Sequence, residues 1–131
     1  MIGFGGSFTD VTAINVYKLS STLEYMMLDQ YFSDTGLQYS FGHVPIASTD
    51  FSTSIYSYND VEGDLEMENF SIDVDKSPKS NKIDLIQRAL QTSSHGMKMY
   101  ASSRAPPAWM TTKNTTINCS LKGSPGEEEY W

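Results

Sequence analysis

At 131 residues the chain is long enough for one domain with a buried core. Its formal charge of −7, from 16 acidic against 9 basic residues with no basic run, argues against a nucleic-acid partner. No apolar stretch approaches a membrane span, no signal peptide is visible, and the single cysteine, Cys119, excludes a disulfide within the chain.

In chain order, residues 2–5 read as a short strand running into a glycine turn, Gly3-Phe4-Gly5-Gly6. The dinucleotide fingerprint needs glycines at positions one, three and six, and the sixth position here is Phe8. No Gly-Lys-Ser/Thr follows either, which excludes a P-loop, so a tight structural bend is the better reading. Thr9 and Asp10 offer side-chain oxygens to cap a short helix over Val11–Lys18. Ser21 with Glu24 predicts a capping box, followed by a helix that Gly36 stops. Leu23, Met26, Met27 and Tyr31 recur at helical spacing along it and are expected to pack into the core.

Leu37–Val44 alternates as a strand that Pro45 should end. Residues 46–80 read as a long irregular stretch, the kind of loop that in compact domains is functional or disordered. Ile83, Leu85, Ile86, Ala89 and Leu90 predict a second amphipathic helix, stopped near Gly96. Met97–Ala101 is a third strand, and residues 102–131 form another long loop in which Glu127, Glu128 and Glu129 read as solvated surface. Strands alternating with helices predict an α/β fold with parallel strands and right-handed crossovers. Long segments after strands suit a (β/α)8 barrel, whose active-site face they build, and equally a doubly wound sheet. Three sequons, at Asn69, Asn114 and Asn118, hint at a secretory route.

Eight segments in one register then carry a specific likeness. Gly3-Phe4-Gly5-Gly6-Ser7-Phe8-Thr9-Asp10 resembles the first barrel strand of the glucosylceramidases, the acid β-glucosidases of glycoside hydrolase family 30. Tyr31-Phe32-Ser33 with Gly36-Leu37-Gln38-Tyr39, Val44-Pro45-Ile46-Ala47-Ser48-Thr49-Asp50-Phe51-Ser52 and Tyr56-Ser57-Tyr58 follow in the family's order. So do Asn69-Phe70-Ser71, Ile86-Gln87-Arg88-Ala89-Leu90, Pro107-Ala108-Trp109-Met110 and Ser120-Leu121-Lys122-Gly123. The resemblance implies that residues 1–131 are the N-terminal part of a TIM barrel: its first three strands, their helices and their long βα loops.

It also implies a retaining β-glucosidase that hydrolyses glucosylceramide to glucose and ceramide in the lysosome. By the resemblance, a saposin-like activator and an anionic membrane surface are partners, and no cofactor or metal is needed. That chemistry uses two carboxyl groups roughly 5 Å apart, one as acid and one as nucleophile. In the family both are glutamates, on the fourth and seventh strands. Both are therefore expected beyond Trp131, none of the catalytic pair within 1–131, and these residues alone are expected to be inactive. Three unclosed strands are likewise not expected to be stable by themselves.

For substrate binding the resemblance singles out Asp50, matching an aspartate that accepts from sugar hydroxyls. Phe51 beside it is expected as a pocket wall or core residue. Trp109 matches a tryptophan close to the sugar, as support or stacking surface. Two positions depart from the family. His43 stands where an arginine holds the active-site carboxylates, and lacks that fixed five-donor fork. Arg104 stands where a tryptophan packs on the sugar. Both departures motivate a second expectation, a catalytically inactive relative that at most binds glycolipid. Asn69 falls on a sequon of the family, and Asp10 reads as a helix cap rather than an acid.

Overall fold

A computed structural model describes residues 3–123. The run Glu127–Glu129 and the first residue of the predicted opening strand lie outside them. So does Trp131, the position beyond which the two catalytic glutamates are expected. The chain divides into two compact units, one of residues 1–45 and 73–102, the other of 46–72 and 103–131.

The first unit is an open α/β layer. Strand β1 (Gly5–Ser7) leads into α1 (Asp10–Val16) and α2 (Ser21–Phe32), then β2 (Phe41–Ile46), α3 (Asp73–Lys76), α4 (Lys82–Thr92) and β3 (Lys98–Ser103). The three strands are parallel and lie in the order β1-β2-β3, a part of a (β/α)8 barrel wall. In register, Gly5 pairs with Phe41 and Ser7 with His43. Helices α1, α2 and α4 bury Ala13, Val16, Leu28, Phe32, Leu85 and Ala89 together with Phe8.

Gly5 and Gly6 lie in strand β1 and not in a turn after it, while Gly3 precedes the strand. A Cβ on Gly5 would sit 1.6 Å from the Phe41 carbonyl oxygen, so β1 can approach β2 only with glycine there. A Cβ on Gly42 would meet Met99 and Phe8 at 2.5–2.8 Å, so glycine on β2 lets the core close against the sheet.

Thr9 alone caps α1, accepting from the Thr12 N–H at 3.0 Å, while Asp10 is the buried first residue of the helix. The predicted capping box at Ser21 does not form. Ser20 is the cap, accepting from the Leu23 N–H, and Glu24 turns inward to an ion pair with Arg88 of α4. The expected Met and Tyr core stripe is also out of phase. Glu24, Leu28 and Phe32 are the buried line, while Leu23, Met26 and Tyr31 are exposed and only Met27 packs on the core.

Strand β2 starts later than Leu37 because residues 36–39 fold back on α2, with the Leu37 N–H donating to the Gln30 carbonyl and Gln38 left-handed at φ 56°. It also runs through Pro45 instead of stopping before it. Helix α3 interrupts the stretch predicted to be irregular up to residue 80.

Among its described residues the second unit has little regular structure: one 3-10 turn, Ala108–Met110, and one antiparallel bridge, Thr111 to Leu121. Its two segments are the connections that follow β2 and β3.

Candidate functional site

Within the second unit, Asp50 sits on a turn that Thr49 and Ser52 close: the Thr49 N–H donates to Ser52 Oγ at 2.8 Å and the Ser52 N–H to the Thr49 carbonyl at 3.1 Å. The first is a side-chain-to-backbone bond of the kind serine favours in loops, and the second closes the backbone of the turn. The Asp50 carboxylate is exposed and forms an ion pair with Arg104. Phe51 is 81% exposed, so it is not a core residue.

Trp109 has a different place. It is buried, and its indole Nε1–H donates to the Asn59 carbonyl at 2.9 Å. The ring is a joint between the two segments of this unit, with its face closed off from solvent. Asn59 belongs to the same joint, its side-chain N–H donating to the Asp64 carbonyl at 2.7 Å. No pattern in the sequence points to Asn59, because what makes it part of the joint is its backbone carbonyl, which accepts from a tryptophan 50 residues on.

The Asp64 carboxylate in turn accepts from the backbone N–H groups of Glu68 and Asn69, at 2.9 and 2.8 Å. Those bonds, Asn69 first, hold its carboxyl below the ordinary value of 3.8. The sequon asparagines Asn69, Asn114 and Asn118 are all exposed.

Within the first unit, His43 is clamped across the sheet. Its Nδ1 lies 2.9 Å from Ser7 Oγ on β1 and its Nε2 2.8 Å from Ser102 Oγ on β3. The ring also stacks on Tyr100 at 4.9 Å between centroids. The parallel register pairs Ser7 with His43, and β3 lies beside β2, so that Ser102 reaches the other ring nitrogen. Both ring nitrogens are therefore engaged by serines, which the sequence alone did not disclose.

A buried ion pair was equally unforeseen. Lys82 Nζ lies 2.7 Å from Asp75 Oδ2, both side chains at most 1% exposed, and donates to the Pro45 carbonyl at 3.1 Å. A lysine just ahead of an amphipathic run reads as solvated surface. Only the tertiary position of Pro45 and Asp75 makes it a core residue.

The glycosyl hydrolase family 30 TIM-barrel domain matches residues 1–131. The chain belongs to that family. A Caenorhabditis elegans protein named among the glucosylceramidases is 42% identical over 99% of this chain and 25% of its own length. The lysosomal acid glucosylceramidase of Mus musculus is 41% identical over 95% of this chain and 24% of its own. Among solved structures, SrfJ from Salmonella typhimurium superposes with a TM-score of 0.83 and 34% identity, over 93% of this chain and 27% of that one. The chain thus spans about a quarter of the length of the curated relatives it matches.

Proposed function

We propose that residues 1–131 form the sugar-facing start of a retaining β-glucosidase that hydrolyses glucosylceramide in the lysosome. The observation that carries this reading is the 41% identity to the mouse lysosomal acid glucosylceramidase across 95% of the chain. The exposed carboxylate of Asp50, on the connection after β2, is consistent with it. An ionised carboxylate there accepts from adjacent sugar hydroxyls with charge-assisted strength. The acid and nucleophile are the two glutamates of later strands, past Trp131, so residues 1–131 by themselves do not cleave.

A saposin-like activator presents the lipid from an anionic membrane. Segment 46–72 carries Asp50, Asp60, Glu62, Asp64, Glu66 and Glu68 with no lysine or arginine, so it does not itself face such a membrane. Asn69 is the glycan site, and Asn114 or Asn118 carries a second.

One observation favours a second reading, a relative that binds glycolipid without turning it over: Arg104 occupies the Asp50 carboxylate. A chimera separates the two. In it, the mouse enzyme carries residues 1–131 in place of its own matching segment, and hydrolysis of a fluorogenic β-glucoside is measured. The enzyme reading expects turnover that Asp50→Asn lowers by about 100-fold, as the loss of a charge-assisted contact to the reacting sugar would. An inactive chimera whose Arg104→Trp variant regains turnover supports the second reading. Full turnover in Asp50→Asn would overturn the role given to Asp50.

A further inference from the structure

Segment 46–72 leaves the first unit after Pro45 and re-enters it at Asp73. The two stems of this long connection are therefore Pro45 and the first turn of α3. Lys82 touches both. Its ammonium donates to the Pro45 carbonyl at 3.1 Å and pairs with Asp75 at 2.7 Å, fully out of solvent.

A lysine with no exposed surface is costly unless its charge is paired and its protons are used. Here the partners that satisfy it stand at the exit and the return of one loop. Pro45 has no N–H to tie itself to a neighbouring strand, so its carbonyl is its one backbone handle. Fixing the stems of a long flexible segment removes loop-closure freedom that the loop's own contacts would otherwise have to overcome.

Beyond the stems, cross-ties run on through the loop. The Ser48 N–H donates to the Tyr56 carbonyl at 3.3 Å and the Ser71 N–H to the Tyr58 carbonyl at 2.8 Å. Asp50, in its Thr49–Ser52 turn, lies five residues past Pro45.

We propose that Lys82 is a positioning residue: a buried cationic staple that closes the stems of segment 46–72 and thereby sets Asp50 for sugar binding. The part concerning Asp50 rests on the β-glucosidase reading above. The closure of the loop does not.

The test uses the chimera and its Lys82→Met/Asp75→Leu variant, which replaces the pair by apolar groups of similar volume and so avoids leaving one charge buried alone. Hydrogen exchange followed by mass spectrometry is the first readout. Amides of 46–72 should exchange about tenfold faster, with α1, α2 and β3 unchanged, because only the low-stability loop is released. Unchanged exchange in 46–72, or acceleration spread evenly over the chain, overturns the staple.

The KM for the β-glucoside is the second readout. It should rise about tenfold with kcat changed far less, the pattern of lost binding rather than lost chemistry. A loosened loop with unchanged KM overturns the link to Asp50. An inactive parent chimera refutes the β-glucosidase reading and with it that link, while exchange still decides the staple. Lys82→Gln/Asp75→Asn keeps shape without charge and is expected to loosen the same amides, which serves if the apolar pair does not fold.

Discussion

The two units are held together by different physics. The first buries Phe8, Leu28, Phe32 and Leu85 between three helices and a sheet, and adds one ion pair with no solvent contact. The second leaves Phe51, Ile55, Leu65 and Met67 exposed and relies on directed bonds such as those of Trp109, Thr49 and Asp64. Apolar burial is non-directional and tolerates change of sequence if volume is kept. Hydrogen-bonded loops depend on particular donors and acceptors, so they hold functional side chains in place with little core of their own. In this chain Asp50 stands on the second kind of structure, and the stems of its loop are anchored in the first.

Breaking one partner of the buried pair should have the largest effect. Lys82→Met alone removes the cation that pairs with the buried Asp75 carboxylate, and should destabilise the chimera by about 3–5 kcal/mol in urea denaturation. Leu85→Ala tests the apolar side of the comparison and should cost about 2–5 kcal/mol by the same measurement. In the second unit, Trp109→Phe keeps most of the ring but leaves the Asn59 carbonyl without its donor. That should cost about 1–3 kcal/mol, and should raise protease susceptibility in 46–72 and 103–123 before any loss of helix signal.

Two titrations give the smallest effects and divide along the same line. Tyr17, in the first unit, donates to Asp84 and has its hydroxyl pushed up from 10.0 to about 12, by burial first and by that hydrogen bond second. The fold therefore favours the neutral phenol. Its contribution is complete below pH 10 and is lost as pH climbs from 10 towards about 12. Denaturation midpoints should fall across that window, and less steeply in Tyr17→Phe. Asp64, in the second unit, has its carboxyl lowered, so its contribution is complete above the ordinary carboxylate value and is lost as pH falls below it. Faster amide exchange at Glu68 and Asn69 under acid, already present at neutral pH in Asp64→Asn, would show it.

The same division explains how much could be read from the sequence. Helix α4 was legible because Leu85, Ile86 and Ala89 repeat at the helical period and do face the core. The presence of three strands was legible from alternation and turn residues, and the barrel family from motifs in order. The stripe on α2 misled because its apolar residues are spread around the helix, and the choice of buried face fell to Glu24 and its partner Arg88 on another helix. Pro45 misled because a proline stops a strand only where its missing N–H matters. Asp50 could be singled out as a candidate from the family motif, but its pairing with Arg104, distant in the chain, could not. The Ser7–His43–Ser102 row and the Lys82 staple were invisible for the same reason: each joins side chains that only the sheet brings together.

The His43 row has one more consequence. A serine hydroxyl rotates, and can give or take a hydrogen bond with its oxygen standing still. With Ser7 on one nitrogen and Ser102 on the other, the imidazole proton can reside on either side while every heavy atom keeps its place. The row is a ladder with two equivalent polarities. A charge introduced at one end of it would select the polarity at the other, two strands away, without any movement of the backbone.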